Sequence, residues 1–155
     1  MHCLADVAFT PVGQCTKYKS LDEALESCIP ILRSSGLSYV VHDGGFTIDA
    51  EWKDATELIG ELHEHLHKHA GFIRVHNICL IPIGTPTPSV SDYIVECEKL
   101  IRASGLKNKL HSAGTSIEGP WNDVMELIGK LHQRVHDMGI LRVQSDVRIC
   151  TKVDQ

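Results

Sequence analysis

A chain of 155 residues, 43% hydrophobic and 23% charged, has the make-up of one folded domain or two small ones sharing a core. Its formal charge of −5 at pH 7 argues against a nucleic-acid or anionic-membrane partner. No stretch has the apolar length of a bilayer span and the N-terminus lacks the basic-then-apolar order of a secretory signal, so a cytoplasmic protein is expected.

Taken in order, Cys3 to Thr10 alternates as a strand, with Cys3, Ala5, Val7 and Phe9 on one face, and Pro11 and Gly13 end it. Gln14 to Lys19 is a polar connection. Ser20, followed by Glu23, reads as a capping box. It opens a helix striped by Leu21, Ala24, Leu25, Cys28, Ile31 and Leu32, interrupted by Pro30 and ended by Gly36. Leu37 to His42 and Phe46 to Glu51 are strands around the Gly44-Gly45 turn. A second helix carries Ala55, Leu58, Ile59, Leu62 and Leu66 and ends near Gly71. Phe72 to Ile83 is one long strand, or two meeting at a bend near Asn77. Ser89 is then expected to cap a helix that Gly105 ends. Strands follow at Leu106 to His111 and Thr115 to Gly119, then a helix marked by Val124, Leu127, Ile128, Leu131 and Val135, and a last strand from Ile140 to Thr151.

The order repeats because the sequence does. His42, Gly45, Ile48, Trp52 and Gly60 recur as His111, Gly114, Ile117, Trp121 and Gly129 at a constant offset of 69 residues. Ile73-Arg74-Val75 recurs as Leu141-Arg142-Val143, whereas Ile78 to Gly84 recurs from Val7 to Gly13. The middle strand therefore both closes the first repeat and opens the second. We read units at 1–77 and 78–155 that share the region about 72–84 and one core. Each has the order β-α-β-β-α-β. This is the α+β, ferredoxin-like arrangement, with helices on one face of an antiparallel sheet and the other face open.

With Val7, Phe9 and Ile48 taken as the helix-facing core, alternation sorts the polar residues. The open face carries Asp6, Ala8, His42, Thr47 and Asp49 in the first unit, and Asn77, Cys79, His111, Ser116 and Glu118 in the second. Such a cluster can line a ligand pocket, or can be solvated or paired across a sheet–sheet interface. Trp52 and Trp121 could stack on a cationic or aromatic ligand, or pack beneath a helix start. His63, His65, His67 and His69, with His132 and His136, are read as a solvated helix flank and not as metal ligands. None of the six cysteines forms a Cys-x-x-Cys pair, so they are expected to be reduced; Cys28 and Cys97 suit small buried positions.

Ile81 to Thr85, Ser104-Gly105-Leu106, Ala113 to Gly119 and Leu141 to Val143 together resemble the thiamine-binding protein family. The resemblance covers nearly all of the second unit and, more loosely, the first; Gly-Thr-x-Ile-Glu-Gly is its most specific part. It implies a non-enzymatic binder of thiamine or its hydroxymethylpyrimidine moiety, held as ligand with no cofactor and no metal. It also implies assembly through the sheets, here a homodimer with four units in total. The ligand-binding residues so implied are Thr115, Ser116, Glu118, His111, Asn77, Cys79 and Trp121, with Thr47 and Asp49 from the first unit. Ala8 and Cys79 stand where the family often has Ser, and Phe46 and Asp49 replace Thr115 and Glu118, so the second unit is the better candidate. Two other classes remain open on the residues alone. One is an oligomerisation or regulatory module without a small ligand. The other is an acid–base enzyme using Asp49, Glu118, His42 or His111, although none of these has a catalytic spacing.

Overall fold

The structure is a computed structural model that describes residues 1–9, 18, 20–43, 45–67 and 72–150, with backbone alone at 67, 72–76 and 150. It divides into two compact units, Met1–Lys68 and His69–Gln155. The expected strand end at Pro11 and Gly13, the connection at 14–19 apart from Tyr18, Gly44 of the turn and the helix end near Gly71 lie outside the described residues.

Unit 1 contains β1 (His2–Ala8), α1 (Leu21–Ser35), β2 (Ser38–His42), β3 (Gly45–Glu51) and α2 (Trp52–His67). Ser20 caps α1 by accepting the Glu23 N–H at 3.1 Å, the helix continues through Pro30, and Gly36 ends it at φ 70°. The strands form an antiparallel sheet in the order β1-β3-β2. Alternation places Phe46, Ile48 and Ala50 against Leu25, Cys28 and Leu32 of α1 and Ala55, Leu58 and Leu62 of α2. Each large side chain buried there contributes about 1.5–3 kcal/mol.

Unit 2 contains β4 (Phe72–Ile83), α3 (Ser91–Ala103), β5 (Lys107–His111), β6 (Gly114–Pro120), α4 (Trp121–Asp137) and β7 (Arg142–Cys150). Its antiparallel sheet has the order β5-β6-β4-β7, which is the ferredoxin-like order. Ile78, Ile117, Val124, Ile128, Leu131 and Val135 fill its core. The bend near Asn77 is a β-bulge: the register shifts between Val75, paired with Ile117, and Ile78, paired with Thr115.

Two expectations are corrected. Phe72 to Val75 does not close the first sheet; all of β4 pairs within the second, so the compact units divide at Lys68/His69 while the sequence repeat turns over near 77/78. A sequence repeat names a strand but not its neighbours, and β4 has β6 and β7 on either side. Ser89 does not cap α3. The helix begins at Ser91 after Val90, with no side-chain cap, and the Ser89 Oγ accepts the Ser91 N–H at 3.4 Å and donates to the Ser91 Oγ at 3.1 Å. Among the described residues no helix is long and apolar enough to cross a membrane.

Candidate functional site

The open face of unit 2 is organised by the bulge. His76 and Asn77 together oppose Ser116, which leaves Asn77 aimed beside Gly114. A Cβ at Gly114 would lie 2.3 Å from Asn77 Oδ1 and 2.4 Å from the Ile78 carbonyl, and its φ is 137°, so only glycine fits. Ser112 and Ala113 form a two-residue hairpin turn that pairs His111 with Gly114, Lys109 with Ser116 and Lys107 with Glu118.

His111 Nδ1 accepts the Ala113 N–H at 3.3 Å. In the neutral ring Nε2 then carries the proton and donates to Ser116 Oγ, also at 3.3 Å. Glu118, 21% exposed, forms an ion pair with Lys107 at 3.0 Å. Lys107 was not anticipated from the sequence. The signal was available, because the hairpin register fixes its partner once the turn is known to have two residues. Cys79 is a half-buried free thiol on β4, paired across the sheet with Asp146. Among the described residues one buried side-chain oxygen has no hydrogen-bond partner, and it is Asn77 Oδ1. Such an atom carries an unmet desolvation cost of about 1–3 kcal/mol.

Unit 1 has the same layout with a different outcome. Asp6 takes the place of Asn77. His42 Nε2 and Thr47 Oγ1 both reach Asp6 Oδ1, at 2.9 and 3.3 Å. Asp49 is held by His2 Nε2 at 2.5 Å, and Glu51 by the N-terminal ammonium at 2.7 Å. The polar groups of this face are paired with one another.

Two of the expected ligand-binding residues lie elsewhere. Thr115 is on the helix side with Ile117; it is 5% exposed and donates to Glu98 Oε1 of α3 at 3.0 Å. Trp121 is 8% exposed in the core at the start of α4, so it offers no stacking surface to the open face. The histidine flank is corrected at His63, His65, His132 and His136, which are tied into their units, while the side chains of His67 and His69 lie outside what is described. His65 Nε2 lies 3.0 Å from Ser27 Oγ of α1, and His63 packs against Phe9 with centroids 6.0 Å apart. His132 is buried against Ser145 Oγ at 2.9 Å, and His136 Nδ1 donates to the Ile140 carbonyl at 2.7 Å. Burial pushes the His132 pKa down to about 4, with nearby His136 adding to the shift. No group of three or more potential metal ligands is present among the described residues. A separate open groove of about 310 Å³ lies on the helix side of unit 2, between Leu100, Ser104 and Leu106 and the Asp123, Glu126 and Lys130 side of α4.

Fold and site together define a tandem ferredoxin-like α+β protein whose second sheet presents a polar, incompletely satisfied face. The chain belongs to the thiamine-binding protein family, whose pattern matches residues 5–77 and again 76–155. It is similar to the UPF0045 protein ECM15 of Eremothecium gossypii, with 51% identity over 79 residues, covering 51% of this chain and 75% of that protein. It is also similar to the UPF0045 protein YqgV of Bacillus subtilis, with 34% identity over 85 residues, covering 52% of this chain and 82% of that one. The crystal structure of a hypothetical protein from Methanocaldococcus jannascii superposes with a TM-score of 0.50 at 24% identity, over 55% of this chain and 84% of that chain. At that identity the likeness speaks for the fold alone.

Proposed function

We propose that the chain binds thiamine or its hydroxymethylpyrimidine moiety at the open face of unit 2 and performs no chemistry on it. The observation that carries this reading is the buried, unpartnered Oδ1 of Asn77, set in a face whose unit 1 counterpart, Asp6, is met by His42 and Thr47. An aminopyrimidine brings the N–H donor that this oxygen lacks. Ser116 and His111 flank the same position, and Cys79 follows on β4. Glu118 supplies a carboxylate for a cationic ring, and Lys107, 76% exposed, can turn into solvent at little cost when displaced. Binding without catalysis is favoured by the state of His111. Its Nδ1 is occupied by a backbone N–H, so no acid orients it as the base of a nucleophile pair.

Calorimetry with thiamine and with hydroxymethylpyrimidine tests the reading. Saturable heat is expected with at least one of them, and no heat at millimolar ligand with folded protein would sink it. Asn77→Ala should weaken binding about tenfold, as for one lost buried hydrogen bond. Glu118→Ala should weaken it more than Asp49→Ala does, because Asp49 is held by His2. Equal losses would remove the assigned asymmetry between the units.

A further inference from the structure

The two open faces differ in charge. In unit 1 the face carries Asp6, Asp49 and Glu51 and, among the described residues, neither Lys nor Arg. In unit 2 it carries Lys107, Lys109, Arg142 and Arg148 against Glu118 and Asp146. A chain of net charge −5 thus keeps a surplus of cations on one face of one sheet. Strand alternation settles their side. Ser145 points to the helices, where it meets His132, so Arg142, Asp146 and Arg148 point away from them.

The register places two of these cations on either side of the candidate site. Lys109 on β5 pairs with Ser116 on β6, and Arg148 on β7 pairs with Asn77 on β4. With the bulge setting Asn77 opposite Ser116, the four residues form one row across the sheet. A strand spacing of about 4.8 Å puts the outer two Cα atoms about 14 Å apart, and both side chains are long enough to converge over Ser116 and Asn77. Both are exposed, and among the described residues neither has an ion-pair partner; Glu118 is taken by Lys107 at 3.0 Å. The same row in unit 1 reads Val40, Thr47 and Asp6. Val40 and Asp6 stand where unit 2 has Lys109 and Asn77, and each exchange makes the second site more positive by one charge.

A neutral hydroxymethylpyrimidine gives Asn77 Oδ1 its missing donor but leaves the two cations unanswered. Free thiamine, itself a cation, answers them less well. The hydroxyl oxygen of either ligand is the atom that carries an anion when esterified. In hydroxymethylpyrimidine that group stands on the ring carbon next to the one bearing the amine, so an ester phosphate falls beside the Asn77 contact, one strand from Arg148. Resting on the binding of this ligand class at unit 2, we propose that the ligand is taken as a phosphate ester, with Arg148 and Lys109 holding the phosphate over Ser116 and Asn77. The Arg148 guanidinium offers a planar fork to two phosphate oxygens, and Lys109 a compact charge from the other side. The ester carries about two negative charges at neutral pH. Unit 1, with Asp6 in place of Asn77, repels it.

Calorimetry on the full chain at low salt compares hydroxymethylpyrimidine with its phosphate, and thiamine with thiamine monophosphate. In at least one pair the ester should bind about tenfold more tightly, as for two charge-assisted contacts near the surface. The preference should shrink as salt is added. The joint variant Lys109→Gln/Arg148→Gln, at exposed positions and so expected to fold, should cut the preference to about twofold or less. Arg142→Gln removes the same charge from the same face at the other end of β7, roughly 20 Å away, and should keep the preference. Esters that bind no more tightly than their parent alcohols overturn the proposal while leaving unit 2 a binder of the free ligand. Absence of binding by all four compounds overturns both. A preference that survives the joint variant, or that Arg142→Gln removes equally, overturns the placement of the phosphate at Lys109 and Arg148.

Discussion

His132 makes the stability of unit 2 depend on pH in a calculable way. It is 7% exposed, its Nε2 is bound to Ser145 Oγ, and its folded pKa falls from 6.5 to about 4 through burial. In the unfolded chain the ring takes up a proton near pH 6.5, while in the folded unit it stays neutral until about 4. The folded state thus binds fewer protons through this window. Stability from this residue is intact above about 6.5, falls as the pH drops, and levels off below the folded value. At about 1.36 kcal/mol per pH unit the full window amounts to about 3 kcal/mol, a large share of a small domain's stability. Urea unfolding at a series of pH values would measure it, in a Trp52→Phe background so that buried Trp121 reports on unit 2. Glu96 and Glu126, whose pKa values are lowered by partners including Lys99 and Lys130, also lose stabilising charge in acid. The comparison must therefore be with His132→Leu, which keeps those groups. The variant should be offset at every pH by the lost Ser145 bond, and should lose about 3 kcal/mol less than wild type between pH 6.5 and 4. Parallel pH profiles would refute the reasoning.

Gly114→Ala forces a Cβ into Asn77 Oδ1 and the Ile78 carbonyl at a positive φ, and should destabilise unit 2 by on the order of 2–4 kcal/mol in chemical denaturation. Gly45→Ala should do the same to unit 1, where the added carbon would lie 2.0 Å from the Val7 carbonyl oxygen. Burial raises the Cys97 thiol to about 11 and Cys28 is fully buried, so a thiol reagent should leave both unmodified in native protein and label both in urea.

Much of this was legible because strand alternation is a strict physical code. Val7, Phe9 and Ile48 pointed to the helix-facing core, and Asp6, His42, Thr47, Asn77, Ser116 and Glu118 to the open face, from period two alone. The same code places Thr115 with Ile117; it was drawn into the expected site by its motif, and its partner Glu98 sits on another element, where no local pattern points. The histidines failed for a similar reason. Helical spacing shows which of them share a face, but Ser27 and Ser145, which make them structural, come from distant segments. The orphan oxygen of Asn77 was out of reach altogether. It depends on a bulge that doubles the residues opposite Ser116, and a bulge leaves only a weak trace in a sequence.

The overlap carried by β4 bears on how such a chain could have been made. Its Ile73-Arg74-Val75 matches the end of a repeat and its Ile78 to Ile83 matches the start of the next, and in the fold the whole strand serves the second unit. End-to-end joining of two complete genes would have left a strand for each role and a joint between them. One strand filling both places implies that the fusion trimmed its own junction. A fragment beginning at His69 retains every described strand of its sheet, whereas Met1 to Lys68 supplies three among the described residues. The two halves of this gene are therefore unequal inheritances: among the described residues the second holds a four-stranded sheet and the first a three-stranded one.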